Sequence, residues 1–262
     1  MEETFKKLLG VLETLRNECP WDKEQTHESL RICMLEEAYE VCDAIDNRNM
    51  DNLEEELGDV LWQVLFHSAI ASERADFDLI SVINRQCEKL IRRHPHVFSK
   101  ENAKSVDKAI EKWENMKWKE RGCTSYSDRM AQIPKALPAL IRSYKIQAKA
   151  AEAGFDWEDV TGAFQKIKEE TEELSEIYKC NDKEKISEEI GDLLFSIVNA
   201  ARFLNVNPEQ ALNATSEKFI KRFAYIEGQA VIQGKNLTKM ALEEMDAYWE
   251  MAKSKEKADS QG

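Results

Sequence analysis

The sequence predicts an all-α protein made of two tandem domains, each of about four helices. Three observations support this fold class. Apolar residues recur at helical spacing over long stretches. The chain of 262 residues contains only 9 Gly and 5 Pro, which disfavours the many turns of a β-sandwich or barrel. A set of short motifs occurs twice in the same order, which indicates an internal duplication.

Four pairs of motifs define the duplication. Glu36-Glu37 and Glu56-Leu57-Gly58-Asp59 recur as Glu169-Glu170 and Glu189-Ile190-Gly191-Asp192, at an offset of 133 residues in both cases (169 − 36 and 189 − 56). Segments 88–93 and 113–117 recur as 217–222 and 249–253, at offsets of 129 and 136. One matching glutamate-rich block would arise by chance in so acidic a chain, but four ordered matches indicate a duplicated domain.

The boundary between the copies falls between Gly122 and Pro138. The stretch 122–128 is small and polar, and Pro134 precedes Pro138, as is typical of a connection. We therefore predict an N-terminal domain at residues 1–122, a linker at 123–138 and a C-terminal domain at 139–262. Each domain is long enough to fold alone.

Each copy contains a predicted antiparallel helical hairpin, because two consecutive stripes of apolar residues are separated by a short polar segment. Asn47 and Asp51 in the first copy, and Asn181 and Asp182 in the second, supply turn and cap chemistry. The four stripes comprise Leu30, Met34, Val41 and Ile45; Leu53, Leu57, Val60, Leu61 and Val64; Ala163, Ile167, Leu174 and Ile177; and Ile186, Ile190, Leu193, Ile197 and Leu204.

Charge and composition exclude several classes of protein. With 37 basic and 50 acidic residues the net charge is −13, which argues against a nucleic-acid polymer as partner. We find neither an apolar stretch long enough for a membrane span nor a signal peptide. The six cysteines are scattered without a C-x-x-C pair, as in reduced proteins. We therefore expect a cytoplasmic protein without a membrane partner.

Several carboxylates occupy positions where an amphipathic helix should carry apolar residues. Glu170 interrupts an apolar stripe of the second copy, and Glu37 interrupts the equivalent stripe of the first. A buried carboxylate is costly unless it is paired or metal-bound. Glu173 shares a face with Glu170 at i+3, and Glu189 and Asp192 form another such pair on the next helix. If the two helices pack antiparallel, four carboxylates converge and repel unless a cation neutralises them.

The ligand chemistry indicates which cation. Carboxylate oxygens favour Mg²⁺, with Mn²⁺ as the alternative, over zinc. A di-iron site is disfavoured because it needs Glu-x-x-His on two helices, and the second copy contains no histidine. A single E-x-x-E pair in an acidic chain is commonly a solvated helix face, so only the duplication and the stripe positions of these acids indicate a metal site.

Basic residues are duplicated in register with the acids. Lys218 and Arg222 share a helix face at i, i+4, as do Lys89 and Arg93. Phosphate oxygens are natural partners for such cations, so the pattern favours a metal and cations around a polyphosphate. Trp249, in the last repeated motif, suits either stacking on a base or anchoring a core or dimer interface.

These residues resemble a known family. The pattern Glu169-Glu170-x-x-Glu173 followed by Glu189-x-x-Asp192, with its first-copy equivalent, is similar to that of the MazG nucleotide pyrophosphohydrolases. The resemblance extends from Cys19-Pro-Trp-Asp-Lys through Gly154-Phe-Asp-Trp157 to Trp249. It implies an all-α, Mg²⁺-dependent homodimer that hydrolyses nucleoside triphosphates to monophosphate and pyrophosphate.

The resemblance also implies roles for individual residues. In the second copy, Glu170, Glu173, Glu189 and Asp192 would hold Mg²⁺, Lys218 and Arg222 would bind phosphates, Trp249 would contact the nucleotide, and Lys166, Glu169 and Lys185 would complete the pocket. Glu169 or Glu170 would also orient the attacking water. The first copy retains Glu36, Glu37, Glu40, Glu56, Asp59, Lys89, Arg93 and Trp113. It has Cys33 and Asn52 in place of Lys166 and Lys185, so we predict that the second copy is active and leave the first open.

The expected activity has broad base specificity, and two other functions fit the same residues. A nucleotide-sensing or interaction protein would bind metal and nucleotide with only vestigial hydrolysis. A structural helical dimer would show no Mg²⁺ dependence of its thermal stability. Neither GxxxxGK[ST] nor GxGxxG is present. No Ser-His-Asp set is legible and the second copy contains no histidine, so a metal-activated water is the simplest nucleophile.

Overall fold

The computed structural model describes residues 1–98, 105–179 and 182–259. Within these ranges the regular structure is helical and contains no strand, which confirms the predicted all-α class. The helices are α1 Glu2–Glu18, α2 Pro20–Glu24, α3 Arg31–Asp46, α4 Met50–Glu73, α5 Leu79–Arg93, α6 Pro95–Phe98, α7 Val106–Glu120, α8 Tyr126–Ala131, α9 Ala139–Glu152, α10 Val160–Ile177, α11 Lys183–Phe203, α12 Pro208–Ile232 and α13 Leu242–Asp259, with a 3-10 turn at Leu237–Lys239.

The chain divides into two compact units, Met1–Lys117 and Trp118–Gly262. Helix α7 spans this division. The segment 123–138 carries the short helix α8, whose first turn is closed by a capping box between Ser125 and Asp128. The domain bounds given above stay a prediction.

Each unit contains a helical hairpin, formed by α3 with α4 in the first unit and by α10 with α11 in the second. In the second hairpin the carboxylate of Asp159 caps α10 by accepting the N–H of Thr161 at 2.7 Å. Asp182 caps α11 by accepting the N–H groups of Glu184 and Lys185. Asn181 lies outside the described residues.

Of the two residues predicted to supply cap chemistry in this connection, Asn47 is the C-cap of α3, whereas the N-cap of α4 is a third residue, Asn49. Neither Asn47 nor Asp51 caps this helix; Asn49 does, because its backbone is extended and its side chain accepts the N–H of Asn52 at 3.2 Å. Asn47 instead ends α3 with a helical backbone, and Asp51 lies inside the first turn of α4. The N-cap of α4 therefore belongs to one of the three residues between Asn47 and Asp51.

The predicted apolar stripes are only partly buried. Ala163 is fully buried, whereas Ile190 and Ile197 of α11 each remain 44% exposed. On α11 the buried positions are Ser196, Val198 and Ala200, so the residues that pack within the unit are smaller than the stripe predicts. The core of the first unit is formed by Leu12, Leu30, Leu65, Phe66 and Ile70.

No helix among the described residues combines the length and the apolar character that a membrane span requires.

Candidate metal centre

The carboxylates of the second hairpin converge. Single oxygens from Glu170, Glu189 and Asp192 lie within 4.8 Å of one another, and a second group with the same spacing consists of Glu169, Glu170 and Glu173. Glu170 belongs to both groups and is only 3% exposed, although the other members are half-buried or exposed. The gap in the apolar stripe thus corresponds to a buried carboxylate at the junction of α10 and α11.

Helix geometry explains this arrangement. On α10 the residues 170 and 173 are one helical turn apart and lie on the same face. The same spacing brings Glu189 and Asp192 together on α11, which packs directly against α10. Because the donors are all carboxylate oxygens, one of them deeply buried, the group fits a hard divalent cation such as Mg²⁺.

Lys166 is the cation nearest to the buried carboxylate. Its Nζ atom lies 2.6 Å from Oε1 of Glu169 and 2.5 Å from Oε1 of Glu170. The hydrogen bonds to Glu169 and then Glu170 raise the pKa of the Lys166 ammonium above its ordinary value. Lys166 therefore stays protonated across the physiological range and neutralises part of the acidic charge.

The remaining negative charge perturbs Glu173. Partial loss of hydration raises the pKa of Glu173, and a hydrogen bond with Glu170 and the charges of Glu170 and Glu189 raise it further. The Lys166 charge opposes this shift without cancelling it. The site consequently favours a proton or a further cation over an unneutralised set of carboxylates.

The first unit has a related acidic group of different character. Oxygens of Glu37, Glu40 and Glu56 lie within 4.8 Å of one another. Burial is the largest cause of the raised pKa of Glu37, whose Oε1 accepts a hydrogen bond from Nε2 of Gln63 at 3.4 Å. Burial followed by the charges of Glu40 and Asp59 likewise raises the pKa of Glu56.

The first-copy position equivalent to Lys166 is Cys33, and this explains much of the difference between the two acidic groups. Cys33 packs against the hydrophobic core of the first unit, so this position supplies no ammonium to the first acidic group. Asn52, which replaces Lys185, donates its backbone N–H to the cap Asn49. Glu36 is exposed on α3, and Lys89 is half-buried on α5.

Three predicted phosphate and nucleotide contacts lie together on α12 and α13. The guanidinium of Arg222 donates to Oε2 of Glu256 at 2.7 and 3.0 Å and lies 5.4 Å from the centre of the Trp249 ring. Lys218 is exposed on α12, and its charge helps to lower the pKa of Glu256 after the larger effect of the Arg222 hydrogen bond. Among the described residues, the ion pair of Arg222 is thus with Glu256 of α13 and not with the acidic groups of α10 and α11.

Two further predicted residues are Arg93 of the first unit, which is placed as Arg222 is in the second, and Lys185. In the first unit the guanidinium of Arg93 lies 5.6 Å from the centre of the Trp113 ring, as Arg222 does over Trp249. Lys185 of the second unit is largely exposed and lies 4.0 Å from the cap carboxylate Asp182. Among the described residues, the ion pair of Lys185 is with this cap carboxylate and not with Glu170, Glu189 or Asp192.

A cavity of about 670 Å³ opens beside the carboxylates of the second unit, and the motifs in the sequence did not predict it. Lys166, Glu170 and Asp192 line one part of it. The remaining walls are mostly apolar and aromatic but include the polar side chains Gln147 and Asn199. The signal available in the sequence was the motif Gly154-Phe-Asp-Trp157, whose four residues all line the cavity.

Comparison with known proteins identifies the family. The domain profile described as "MazG nucleotide pyrophosphohydrolase domain" matches the chain twice, at residues 25–98 and 158–225. The chain belongs to the MazG family. The two matched segments contain the acidic groups of both copies, which accounts for the duplication seen in the sequence.

Relatives of this MazG protein match along nearly its whole length. It is 46% identical over 251 residues to "Nucleoside triphosphate pyrophosphohydrolase/pyrophosphatase MazG" of Thermotoga maritima, which covers 95% of each chain. It is 40% identical over 257 residues to "Nucleoside triphosphate pyrophosphohydrolase" of Escherichia coli K12, covering 95% of this chain and 97% of the relative. An uncharacterised Bacillus subtilis protein, YabN, is 44% identical over 256 residues, covering 97% of this chain and 52% of the relative.

Proposed function

We propose that this MazG protein hydrolyses nucleoside triphosphates at the bond between the α- and β-phosphates, releasing a nucleoside monophosphate and pyrophosphate. The reaction would require Mg²⁺, with Mn²⁺ as a substitute, and would accept both ribo- and deoxynucleotides with broad base specificity. The observation that carries the proposal is the buried carboxylate of Glu170 at the centre of two converging acidic groups. The names of the two relatives that match along 95% and 97% of their length support the same reaction.

Four residues are proposed to hold the metal: Glu170, Glu173, Glu189 and Asp192. Their oxygens are hard donors, and their mutual repulsion is relieved by a divalent cation. When bound, Mg²⁺ supplies positive charge that neutralises the phosphate oxygens as the reaction proceeds. The first-copy set of Glu37, Glu40, Glu56 and Asp59 is proposed as a second metal site.

We assign the orientation of the attacking water to Glu169. Glu170 is buried and shared by both acidic groups, whereas Glu169 is exposed and anchored by Lys166 at 2.6 Å. The water oxygen forms a bond to the α-phosphorus, its proton passes to the Glu169 carboxylate, and the bond from the α-phosphorus to the bridging oxygen breaks. Pyrophosphate leaves with that electron pair, so the step balances without a covalent enzyme intermediate.

Lys166 is proposed to bind phosphate oxygens while it holds Glu169 and Glu170. Lys185, Lys218 and Arg222 would add positive charge, and Trp249 would contact the nucleotide. In the first copy the corresponding proposals are Glu36, Lys89, Arg93 and Trp113. For Arg222 this requires that a phosphate bind a guanidinium that already contacts the Glu256 carboxylate.

We further propose a homodimer that acts in the cytoplasm. Several large apolar side chains of the second unit are between a third and four fifths exposed, an unusual amount of apolar surface for a folded chain. They lie on α10, α11 and α12, and include Phe164, Ile190, Leu194, Ile197, Phe219, Ile220 and Phe223. A second copy packing on these helices would bury them, and light scattering of the full chain measures the expected doubling of mass.

The test is product analysis with the full chain. Incubation with ATP or dGTP and Mg²⁺ is expected to release pyrophosphate and the monophosphate in equal amounts. Orthophosphate as the only product would contradict the proposal.

Variants of the acidic groups test which copy is active. Glu170→Ala is expected to remove most of the turnover, and Glu37→Ala is expected to remove little of it. Undiminished turnover in the double variant would exclude the acidic groups as the site. Binding of Mg²⁺ and nucleotide without turnover would favour the nucleotide-sensing alternative.

A further inference from the structure

The guanidinium of Arg222 on α12 is fixed by a glutamate of the last helix. Its Nε and Nη2 atoms both donate to Oε2 of Glu256, at 3.0 and 2.7 Å. Glu256 lies on α13, which packs directly against α12, and the two residues are 34 positions apart in the chain. Tertiary packing therefore holds one edge of the guanidinium in place.

An aromatic cluster restricts the same guanidinium further. Its central carbon lies 5.4 Å from the centre of the Trp249 ring, and a cation over an indole face is attracted to it. The ring of Phe219 lies 5.1 Å from Trp249 between centroids, and Phe223 stacks on Phe219 at 6.2 Å. The carboxylate and the indole together leave the Arg222 side chain little freedom to reorient.

Part of the guanidinium stays available to a ligand. The N–H groups of Nη1 make no hydrogen bond with the part of the chain that the structure describes. The Arg222 side chain is 21% exposed, so an anion can approach it. Phosphate oxygens suit these donors because charge-assisted hydrogen bonds to a guanidinium are strong. A phosphate can therefore bind Arg222 while Glu256 keeps its own contact.

The carboxylate of Glu256 is held in its ionised form. The hydrogen bond from Arg222 is the largest cause of its lowered pKa, and the charges of Arg222, Lys218 and Lys221 lower this pKa further against the opposing effect of partial burial. Three cations thus surround one carboxylate. The excess positive charge still attracts a polyphosphate to this end of α12.

The same residue types recur in the first copy. There the guanidinium of Arg93 lies 5.6 Å from the centre of the Trp113 ring. The offset of 136 between the two tryptophan motifs places Glu120 at the position equivalent to Glu256 (256 − 136). In both copies the glutamate follows the tryptophan by seven positions, which is about two helical turns, so the two side chains share a helix face. The pattern therefore belongs to the duplicated unit.

We propose that Glu256 is a positioning residue for nucleotide binding, which holds the guanidinium of Arg222 against Trp249 and leaves its Nη1 donors for a phosphate. The inference rests on the proposed function, in which Arg222 binds phosphate and Trp249 contacts the nucleotide. Glu256 itself does not touch the substrate. Because a side chain that is fixed in advance loses less conformational entropy on binding, Glu256 improves the affinity for an anion although it is itself an anion.

The sign of the effect distinguishes this role from a simple effect of charge. Removing a negative charge beside an anion site ordinarily tightens anion binding. We expect the opposite for Glu256→Ala, in which KM for ATP with Mg²⁺ should rise about 3- to 10-fold while kcat stays nearly the same. Glu256→Gln keeps an acceptor oxygen without the charge, so its KM should rise less.

Glu250→Ala is the matched control for these variants. Glu250 is an exposed glutamate on the same helix, and its ion pair is with Lys253. The KM of this variant is expected to equal that of the unmodified protein. An equal rise of KM in Glu250→Ala and Glu256→Ala would overturn the proposal, since any glutamate of α13 would then have the same effect.

Calorimetric binding of α,β-methylene-ATP with Mg²⁺ gives the same comparison without turnover, because the bridge of this analogue cannot be hydrolysed. High ionic strength screens the simple effect of charge. The Kd should rise about 3- to 10-fold in Glu256→Ala. It should rise no further when Glu256→Ala is added to Arg222→Met, because the carboxylate acts only through the guanidinium.

Other outcomes of the binding experiment reject the positioning role. Tighter binding by Glu256→Ala would mean that the carboxylate competes with the phosphate, and an unchanged Kd or additive losses in the double variant would mean that it does not act through Arg222. If ATP yields only orthophosphate but the analogue shows the expected pattern, the proposed function alone fails. If the unmodified protein does not bind the analogue, both proposals fail.

Discussion

The ammonium of Lys166 lies 2.5 Å from Oε1 of Glu170, a carboxylate that is 3% exposed and belongs to both acidic groups of the second unit. The two residues are one helical turn apart on α10, so the contact is made within a single helix. In the first unit the same turn carries Cys33 and Glu37, so the position equivalent to Lys166 supplies a thiol instead of an ammonium. This difference is the clearest electrostatic distinction between the two copies.

Removing the Lys166 charge is expected to impair turnover. Lys166→Met deprives Glu169 and Glu170 of a charge-assisted hydrogen bond each, and we expect kcat/KM to fall about 10- to 100-fold. Lys168→Met is the matched control, because Lys168 is largely exposed on the same helix and contacts only Glu172 within the described residues. Equal losses of kcat/KM in the two variants would contradict this role of Lys166, because they would show that any positive charge on α10 has the same effect.

Mg²⁺ is expected to stabilise the folded protein. A ligand that binds only the native state at about 100 times its Kd adds about 2.7 kcal/mol, so the Tm should rise by several degrees on addition of Mg²⁺. The double variant Glu37→Gln with Glu170→Gln should lose this rise, whereas Glu172→Gln, which changes an exposed carboxylate on α10, should retain it. A Tm that Mg²⁺ does not change would favour a purely structural helical protein.

Two glycines in helices are expected to respond in opposite directions to alanine. At Gly162 a Cβ atom would overlap the Trp157 side chain, so Gly162→Ala should lower stability by about 1–3 kcal/mol and change the tryptophan fluorescence. At Gly228 on α12 a Cβ atom meets nothing within 4 Å, so Gly228→Ala should raise stability by about 0.5–1 kcal/mol. Urea unfolding measures both changes, and a stabilised Gly162→Ala would contradict the packing described for Trp157.

The acidic group of the first unit should make stability depend on pH. Burial raises the pKa of Glu37, so the folded state binds this proton more tightly than the unfolded state does. Stability should therefore fall as pH rises from the ordinary carboxyl pKa of about 4.3 through the raised value, and the loss should be complete above it. Glu37→Gln should raise the Tm at neutral pH in metal-free buffer and flatten this decline.

Glu54→Gln is the matched control for that experiment, since Glu54 is an exposed carboxylate on the same hairpin. An identical pH profile for Glu37→Gln and the unmodified protein would mean that burial of Glu37 does not perturb its titration.

Local features of the chain were predictable because they depend on spacing along one helix. The apolar period yielded the all-α class, the repeat yielded the duplication, and the interrupted stripe pointed to Glu170. The convergence of Glu170 with Glu189 required one further assumption, that neighbouring helices joined by a short segment pack together, and α10 and α11 do so. The cap Asn49 was missed because several adjacent polar residues suit a cap equally well, and backbone conformation selects among them.

The sequence alone therefore established the fold class, the two copies and the acidic pattern, since helical periodicity is encoded locally. Contacts between segments that lie far apart in the chain were decided by the tertiary packing. That packing pairs Arg222 with Glu256, and it buries Ser196, Val198 and Ala200 of α11 while Ile190 and Ile197 stay exposed. It also brings Gln147 of α9 to the backbone of α11 with an unpaired oxygen, because α9 approaches α11 across a separation of 48 residues. No periodicity or motif records such a separation, so the contact between these two helices is visible only in three dimensions.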